Sequence, residues 1–525
     1  MLQGDAARPS SSGSAGDGPP DEQDQSAEHG RLDGRAQSRG TSVSALVLAA
    51  GEGTRMRSST PKVLHRLAGR PLIEHAVRAA AGIDPDELLV VVGHGRPAVD
   101  QHLAGLEPEL DRPVRTAVQD RQLGTGHAVS CGLAGLAQER AGTVVVTYGD
   151  IPLLDGETLR GLLDEHRASG NAVTVLSAVV DDPTGYGRMV RDADGRVAGI
   201  VEHKDTTPEQ AEIGEINSGV YAFDTAVLDD ALRRLSTDNA QGELYLPDVL
   251  SIARGDGHPV GALVCADTWL VEGVNDRVQL SQLGAELNHR LLLGWMRAGV
   301  TVTDPGSVWV DCDVALAPDV VLEPGVQLRS GTTVGEGARI GPDTTLTNCT
   351  IHAGASVVRT HGEGAEVDPD GSVGPYAFLR TGAHVGPAGK VGTFVEVKNS
   401  EIGTGSKVPH LSYVGDATIG EHSNIGAASV FVNYDGVAKH RTVIGSHART
   451  GADNMFVAPV QVGDGAYTAA GSVVVEDVPP GAMAVARGRQ RNIEGWVAKR
   501  RPGTAADQAA RDAAETTTNP TSGAE

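Results

Sequence analysis

Aromatic residues, cysteine and long apolar runs are all scarce in this sequence, and each shortage removes a class of protein. Phe, Trp and Tyr make up 3% of the 525 residues, too few for a core that relies on packed rings. The four cysteines, Cys131, Cys265, Cys312 and Cys349, lie far apart with no CxxC pair. They form neither a disulfide framework nor a zinc site, and read as reduced thiols of a cytosolic protein. No stretch approaches the roughly 20 apolar residues that cross a bilayer. Residues 1 to 42 lack the apolar segment of roughly 7 to 15 residues that a secretory signal requires. Basic residues are in deficit too, 44 against 68 acidic ones, for a formal charge of -24. Nucleic acids and anionic membranes both call for basic surface, so neither is an expected partner. The expectation is a soluble cytoplasmic protein.

Glycine is in excess: 68 of 525 residues, about 13% against an average near 7%. Combined with aliphatic rather than aromatic residues, that excess suits a turn-rich repeat. The length exceeds what one core accommodates, so two or more domains are expected. The polar N-terminal segment and the stretch from about Arg501, rich in Ala, Thr, Asp and Gly, bury too little to offset their ordering entropy and read as disordered.

From Val43 onward, β-rich runs alternate with amphipathic stretches. Val43 to Ala49, Leu88 to Val92 and Thr143 to Thr147 read as strands, and Pro71 to Ala81 and Gly126 to Leu136 as helices. This alternation predicts a Rossmann-like α/β domain: a mostly parallel sheet with helices on both faces and ligands beyond the carboxyl ends of its strands. The loop after the first strand, Leu48-Ala49-Ala50-Gly51-Glu52-Gly53-Thr54-Arg55-Met56, is neither a dinucleotide fingerprint nor a P-loop. Its small residues still let backbone amides approach phosphate oxygens. Arg55, and Lys62 in Pro61-Lys62-Val63-Leu64, place positive charge beside them.

These residues resemble the signature of the sugar-phosphate nucleotidyltransferases. Further pieces follow in the family's order: Gln119 with Gln122-Leu123-Gly124-Thr125, Tyr148-Gly149-Asp150, Gly185-Tyr186-Gly187-Arg188, Glu202-His203-Lys204, Ile216-Asn217-Ser218-Gly219 and Val271-Glu272-Gly273-Val274-Asn275. The resemblance implies that Leu48, Ala49, Ala50, Gly51, Arg55, Lys62, Gln119, Gly124, Thr125, Tyr148, Gly149, Asp150, Gly187, Glu202, Asn217 and Asn275 bind nucleotide and sugar. It also implies that Asp150 and Asn275 hold Mg2+. In-line attack of a sugar phosphate on a nucleoside triphosphate needs positioning and charge neutralisation rather than covalent catalysis. One carboxylate and one amide oxygen suffice for a hard cation that keeps several of its waters.

Asp276 to Val300 has helical spacing (Val278, Leu280, Leu283, Leu287, Leu291, Leu292, Trp295) and reads as a linker helix. Beyond it the period becomes six: Val308, Val314, Val320, Val326; Val334, Ile340, Leu346; Val373, Leu379, Val385, Val391, Val397; Ile444, Thr450, Phe456, Val462, Thr468, Val474. A six-residue period fits neither a helix nor a hairpin sheet, and is the hexapeptide signature of a parallel β-helix. The register breaks between Ile425 and Ile444, where Val432-Asn433-Tyr434-Asp435-Gly436 reads as an extruded loop. The hexapeptide acyltransferases, which this repeat resembles, form left-handed prisms.

Lys407-Val408-Pro409-His410-Leu411-Ser412-Tyr413-Val414-Gly415-Asp416, Asn424-Ile425-Gly426-Ala427 and Asn433-Tyr434-Asp435-Gly436 closely resemble a narrower family. It is that of the bifunctional bacterial N-acetylglucosamine-1-phosphate uridyltransferase/glucosamine-1-phosphate acetyltransferases, and the match runs from about residue 43 to 498. The resemblance implies His410 as the catalytic base, Arg380, Lys398, Tyr413 and Asn424 around the amino-sugar phosphate, and Ala427, Asn433, Tyr434, Ala452, Ala470 and Arg487 along an acetyl-CoA groove. It implies a homotrimer, with UTP and acetyl-CoA as cosubstrates. Ala452 stands where some relatives carry serine, and Glu52 where many carry lysine. The expected organisation is a disordered tail at 1–42, a nucleotidyltransferase domain at 43–275, a linker helix at 276–300, a left-handed β-helix acetyltransferase domain at 301–490 and a mostly disordered segment at 491–525. The alternative reading is a monofunctional sugar-1-phosphate nucleotidyltransferase whose β-helix serves only oligomerisation. A non-catalytic assembly subunit of the same folds would dispense with Lys62, Asp150 or Asn275.

Overall fold

The computed structural model describes residues 42–93, 96–136 and 142–518; the N-terminal tail before Ser42 and residues 519–525 lie outside this range. The first half is built on a nine-stranded sheet. Its strands in chain order are β1 (Val43–Ala49), β2 (Glu87–Val92), β3 (Arg115–Val118), β4 (Thr143–Tyr148), β5 (Val173–Val179), β6 (Gly187–Arg191), β7 (Val197–Val201), β8 (Glu215–Asp224) and β9 (Val260–Cys265). They lie side by side as β9-β5-β8-β4-β1-β2-β3, with β6 branching from β8 and β7 from β6. β1 runs parallel to β2 and β4, while β8 is antiparallel to both neighbours, β4 and β5. The sheet is therefore mixed but mostly parallel.

The continuous apolar run of β1 follows from burial on both faces. Ala45, Val47 and Ala49 pack on one side against the helices Leu72–Ala81 and Gly156–Ala168. Leu46 and Leu48 pack on the other, against Thr125–Gly135 and Asp248–Gly255. Helix Leu72–Ala81 presents Ile73, Ala76, Val77 and Ala80 as one buried stripe, the i, i+3, i+4, i+7 spacing of an amphipathic helix.

The second half is a parallel β-helix with three faces, a seven-, a ten- and a nine-stranded sheet of two- to four-residue strands. Each strand pairs in parallel with one about a coil later: Trp309 with Gln327, Ala315 with Thr333, Val321 with Arg339. Every position of the six-residue series is buried, each large aliphatic side chain contributing about 1.5–3 kcal/mol. The structure divides that series into two interior columns two residues apart. Val308 to Val326 occupy one; Val310, Leu316, Leu322 and Leu328 lead into Val334, Ile340 and Leu346 in the other. A strand sends alternate residues to one side, so each short strand sends two inward.

Many positions of the first column are Ser or Thr. The Ser400 Oγ donates to Lys398 O (2.8 Å) and accepts from Ala417 N of the next coil (2.9 Å). Ser423 does the same with Gly445 O and Ala448 N. These hydroxyls satisfy backbone groups that a narrow prism would otherwise leave buried and unpaired. Between Val430 and Met455 the pairing skips 25 residues instead of the 16 to 18 of coils such as Thr345–His361 and Trp309–Gln327, and the surplus forms the extruded loop. It begins at Asn433, because Val432 ends the strand Val430–Val432.

The halves meet through the helix Arg277–Arg297 and the two-residue strands Arg66–Leu67 and Arg70–Pro71. Leu283 and Leu292 of the expected stripe are buried, whereas Val278 is exposed, since it sits on the outward side of the first turn. The buried Asn288 side chain donates to Val308 O (2.8 Å) and accepts from Val310 N (3.0 Å), docking the helix on the first coils. Ala68 O accepts from Cys312 N (3.0 Å), and Arg70 pairs with Asp313.

One expectation is corrected. The segment from residue 491, read as mostly disordered, carries the helices Trp496–Arg500 and Ala505–Thr518. The low apolar content that suggested disorder includes alanines of the highest helix propensity. Thr504 Oγ1 accepts from Asp507 N, the Asp507 carboxylate accepts from Gly503 N, and an Asp507–Arg511 pair lies at i, i+4 spacing, all of which support a helix start. Among the described residues no helix is long and apolar enough to cross a membrane.

Candidate active sites

A cleft of about 340 Å³ opens at the carboxyl ends of β1 and β4, where a parallel sheet offers its ligand site. Of the expected residues, Leu48, Ala49, Ala50, Gly51, Arg55, Lys62, Gln119, Gly124, Thr125, Tyr148, Asp150 and Asn275 line it. A Cβ at Gly51 would point into open space, so a ligand can approach the backbone there. Gly53 has φ +63°, and a side chain on it would collide with the Lys62 stem, so this turn requires glycine. Gln122 Nε2 donates to Ala50 O (2.8 Å) and Gln119 Nε2 to Gly124 O (3.1 Å), which fixes the 119–124 segment over the loop.

At the floor of the cleft, Lys62 forms a close ion pair with Asp150 and donates to Asn275 Oδ1 (3.1 Å), which also accepts from Arg55 (2.9 Å). The carboxylate and the amide oxygen thus converge on one cation. Glu243 also faces the cleft and was missed by the sequence reading. It arrives because Leu244 N donates to Leu123 O and Leu244 O accepts from Gly126 N, contacts between segments some 120 residues apart that leave no local signal.

The other four expected residues sit back from the cleft. Gly149 is covered by Ile73 and donates its N–H to Leu48 O (2.9 Å). Gly187, Glu202 and Asn217 form a second cluster: a Cβ at Gly187 would lie 3.4 Å from a Glu202 oxygen and 3.6 Å from Asn217 Cβ. Asn217 Oδ1 accepts from the Tyr221 hydroxyl and from Gly219 N, both at 2.9 Å. Burial, with the charges of Asp248, Asp205 and Glu243, pushes the Glu202 carboxyl above its usual range. Burial, with Glu202 and Asp150, likewise raises the Tyr148 hydroxyl. Tyr148 lies between the two groups, and its ring fills the space where Gly219 lacks a side chain.

On the β-helix, the ten-stranded face aligns Glu396 with Tyr413 and Tyr413 with Val430. Here Arg380 donates to Glu396 (2.9 Å), Lys398 lies 3.6 Å from Asp416, and Asn433 donates to the Tyr413 hydroxyl (3.4 Å) and to Asp416. Burial alone would raise the Asp416 carboxyl; hydrogen bonds from Asn399 and Asn433 and the charges of Lys398 and Lys439 hold it below its usual range. Lys439, unforeseen from sequence, is carried in by the extruded loop. A hydrogen bond with Lys398, and then its charge, lower the Lys439 ammonium.

His410 ends the strand Lys407–His410 with its ring exposed. Ala428 N donates to His410 O, and Asp453 N to Ala427 O. Gly471 N donates to Ala452 O, and a Cβ at Gly471 would lie 3.9 Å from Arg487. His410, Ala427, Ala452, Ala470 and Arg487 thus follow one corner of the prism, coil by coil. Tyr434 is exposed on the loop. Asn424 stands apart on the neighbouring face, bridged to Lys407 and Arg449.

Comparison with known proteins bears on both halves. A family model described as a MobA-like NTP transferase domain matches residues 45–213. The chain is 60% identical over 470 residues to the bifunctional protein GlmU of Nocardia farcinica, covering 89% of this chain and 95% of that one. The Rhodococcus jostii protein of the same name is 60% identical over 468 residues (89% and 94%), and that of Mycolicibacterium smegmatis 59% over 473 (90% and 98%). A solved structure, a putative glucose-1-phosphate thymidylyltransferase from Bacillus anthracis, matches 47% of this chain and 95% of its own at 20% identity, with a TM-score of 0.38, and carries no argument. Matched along both halves at such identity, the chain belongs to the family of bifunctional GlmU proteins.

Proposed function

We infer that the chain makes UDP-N-acetylglucosamine in two steps, acetylating glucosamine 1-phosphate with acetyl-CoA on the β-helix and transferring the uridylyl group of UTP in the N-terminal domain. The observation that carries this reading is that one chain holds two separate constellations, a cleft around Lys62, Asp150 and Asn275 and, on the β-helix, a cluster of Arg380, Lys398, Tyr413, Asp416 and Asn433.

In the groove, the amino-sugar nitrogen attacks the thioester carbon and His410 takes the amine proton. The C–S bond breaks and the thiol leaves with a proton. Arg380, Lys398 and Tyr413 hold the sugar phosphate, and Asp416 holds Lys398 and Asn433 in place. In the cleft, a phosphate oxygen of N-acetylglucosamine 1-phosphate attacks the α-phosphorus of UTP and pyrophosphate leaves. Gln119 and Gln122 orient the base, the glycine loop cradles the phosphates, and Gly187, Glu202 and Asn217 seat the sugar. Asp150 and Asn275 fit Mg2+, because their oxygens already share one cation; bound there, the ion supplies charge neutralisation to the phosphates. Lys62, displaced from its pair, reaches toward those phosphates.

A homotrimer is part of the proposal, supported by the split of the sugar-phosphate candidates: Asn424 lies on a different face from Arg380, Lys398 and Tyr413, as in a site assembled between neighbouring copies. Light scattering gives the mass that tests it. The activities are tested by incubating the purified chain with glucosamine 1-phosphate, acetyl-CoA, UTP and Mg2+, following thiol and pyrophosphate separately. His410→Ala lowers thiol release about 10²- to 10⁴-fold and leaves pyrophosphate release from N-acetylglucosamine 1-phosphate intact. Absence of thiol release from the wild-type chain would favour the monofunctional alternative.

A further inference from the structure

We propose that His352, Glu366 and Asp368 form a binding site for one divalent first-row transition-metal ion, of which Zn2+ is the probe, on a face of the β-helix that the acetyl-transfer groove does not use. The three side chains come from successive coils of the nine-stranded sheet, flanking Ile351 and Val367, which pair across the sheet and point into the core. Strand alternation sends their neighbours outward, so His352 from one coil and Glu366 and Asp368 from the next meet on the surface. Arg380, Lys398 and Tyr413 follow the ten-stranded sheet and His410 ends a strand of the seven-stranded one, so neither set shares the nine-stranded face.

The three ligand atoms are close enough to share one ion. His352 Nε2 lies 2.9 Å from Glu366 Oε1 and 3.7 Å from Asp368 Oδ1, and the three ligand atoms all fall within 4.8 Å of one another. Ligands at about 2.0–2.2 Å from a tetrahedral ion are separated by roughly 3.4 Å, a value that lies between these two distances. One imidazole with two carboxylates suits a borderline ion such as Zn2+ rather than Ca2+, which prefers oxygen alone. His384, from a third coil, contacts the other oxygen of Asp368 at 2.9 Å. An orienting hydrogen bond of this kind on a ligating carboxylate is how metal sites hold their first ligands. The fourth position faces solvent and takes a water. The ion would tie two consecutive coils together, and through His384 a third.

The test is equilibrium dialysis of the full chain against Zn2+ alone, followed by Co2+ substitution and visible spectroscopy. The wild-type chain binds one more equivalent per chain than His352→Ala or Glu366→Gln, and its Co2+ form has a d–d absorption that both variants lack. His384→Ala retains the equivalent with about 10- to 100-fold weaker affinity. Thiol and pyrophosphate release are the same in all three variants, which separates this site from the proposed reactions. Equal stoichiometry and equal Co2+ spectra in wild type, His352→Ala and Glu366→Gln overturn the proposal. Both substitutions lie on the outer surface of the coils, and unchanged thermal unfolding in metal-free buffer confirms that the variants are folded.

Discussion

Lys62 sets the electrostatics of the N-terminal cleft, because its ammonium lies between Asp150 and Asn275, the pair proposed above to hold Mg2+. Asp150→Asn keeps the shape of the side chain and removes its charge. Uridylyl transfer should fall steeply and recover in part with excess metal, while thiol release stays at the wild-type rate; survival of both activities would reduce Asp150 to a packing residue. Glu74 offers a test of a different kind. Burial would raise its carboxyl, but hydrogen bonds from His102 and Arg78, with their charges, outweigh that and lower it to about 2. A carboxyl depressed on folding stabilises the native state above its unfolded value, near 4.5, and that stability is lost as the pH falls toward 2. Glu74→Gln should therefore unfold more readily at neutral pH and show a flatter dependence between about pH 4.5 and 2 than the wild-type chain, as followed by circular dichroism in urea.

Among the elements, the coil carrying Gly426 is tightly confined beside a proposed site. A Cβ there would overlap the backbone carbonyl of Gly451 in the coil above, with no flexible side chain able to yield. Gly426→Ala should cost about 1–3 kcal/mol of stability and, by shifting Ala427 and Ala452, lower thiol release by about 10²-fold. Thermal unfolding and the thiol assay check the two effects separately, with pyrophosphate release as the unaffected control.

How far these elements were legible depends on the range of the forces involved. The β1 run, the helix stripe from Ile73 to Ala80 and the six-residue columns record burial repeated at short spacing, so they stand out in the sequence. The two interior columns blur into one because either can be apolar. Glu243, Asn288 and Lys439 enter through contacts with residues distant in sequence, and Asn288 looks there like any polar residue on a helix. The C-terminal helix was missed because its support is capping and propensity, which a reading by apolar content discounts. Phosphate chemistry made the glycine loop, Arg55 and Lys62 legible, and the remaining cleft residues were legible through the family resemblance of their segments. The split of Asn424 from Tyr413 depends on which of three faces each residue falls on, and the period alone leaves that open.

At the scale of the whole molecule, the two halves share more than a peptide bond. Leu292 of the connecting helix belongs to the core of the β-helix, and Asn288 bonds its first coils. A fragment of residues 43–300 retains every cleft residue. It should release pyrophosphate from UTP and N-acetylglucosamine 1-phosphate, release no thiol from acetyl-CoA, and melt below the full chain because Leu292 loses its partners. A folded but inactive fragment would mean that the β-helix completes the cleft.

The stack of coils between the two sites has a kinetic meaning. Six strand-to-strand steps of one face separate the docked first coil from His410, a spacer of roughly 30 Å at about 4.8 Å per step. Because it is built of packed coils that each grip their neighbours, it does not fold back to hand the acetylated sugar from one site to the other. With the two reactions placed as proposed, the intermediate leaves one chain, mixes with the surrounding pool and is captured afresh. Its concentration in that pool, rather than any internal passage, then sets the pace of the second reaction, and the two catalysts run as independent enzymes that happen to be synthesised in equal number.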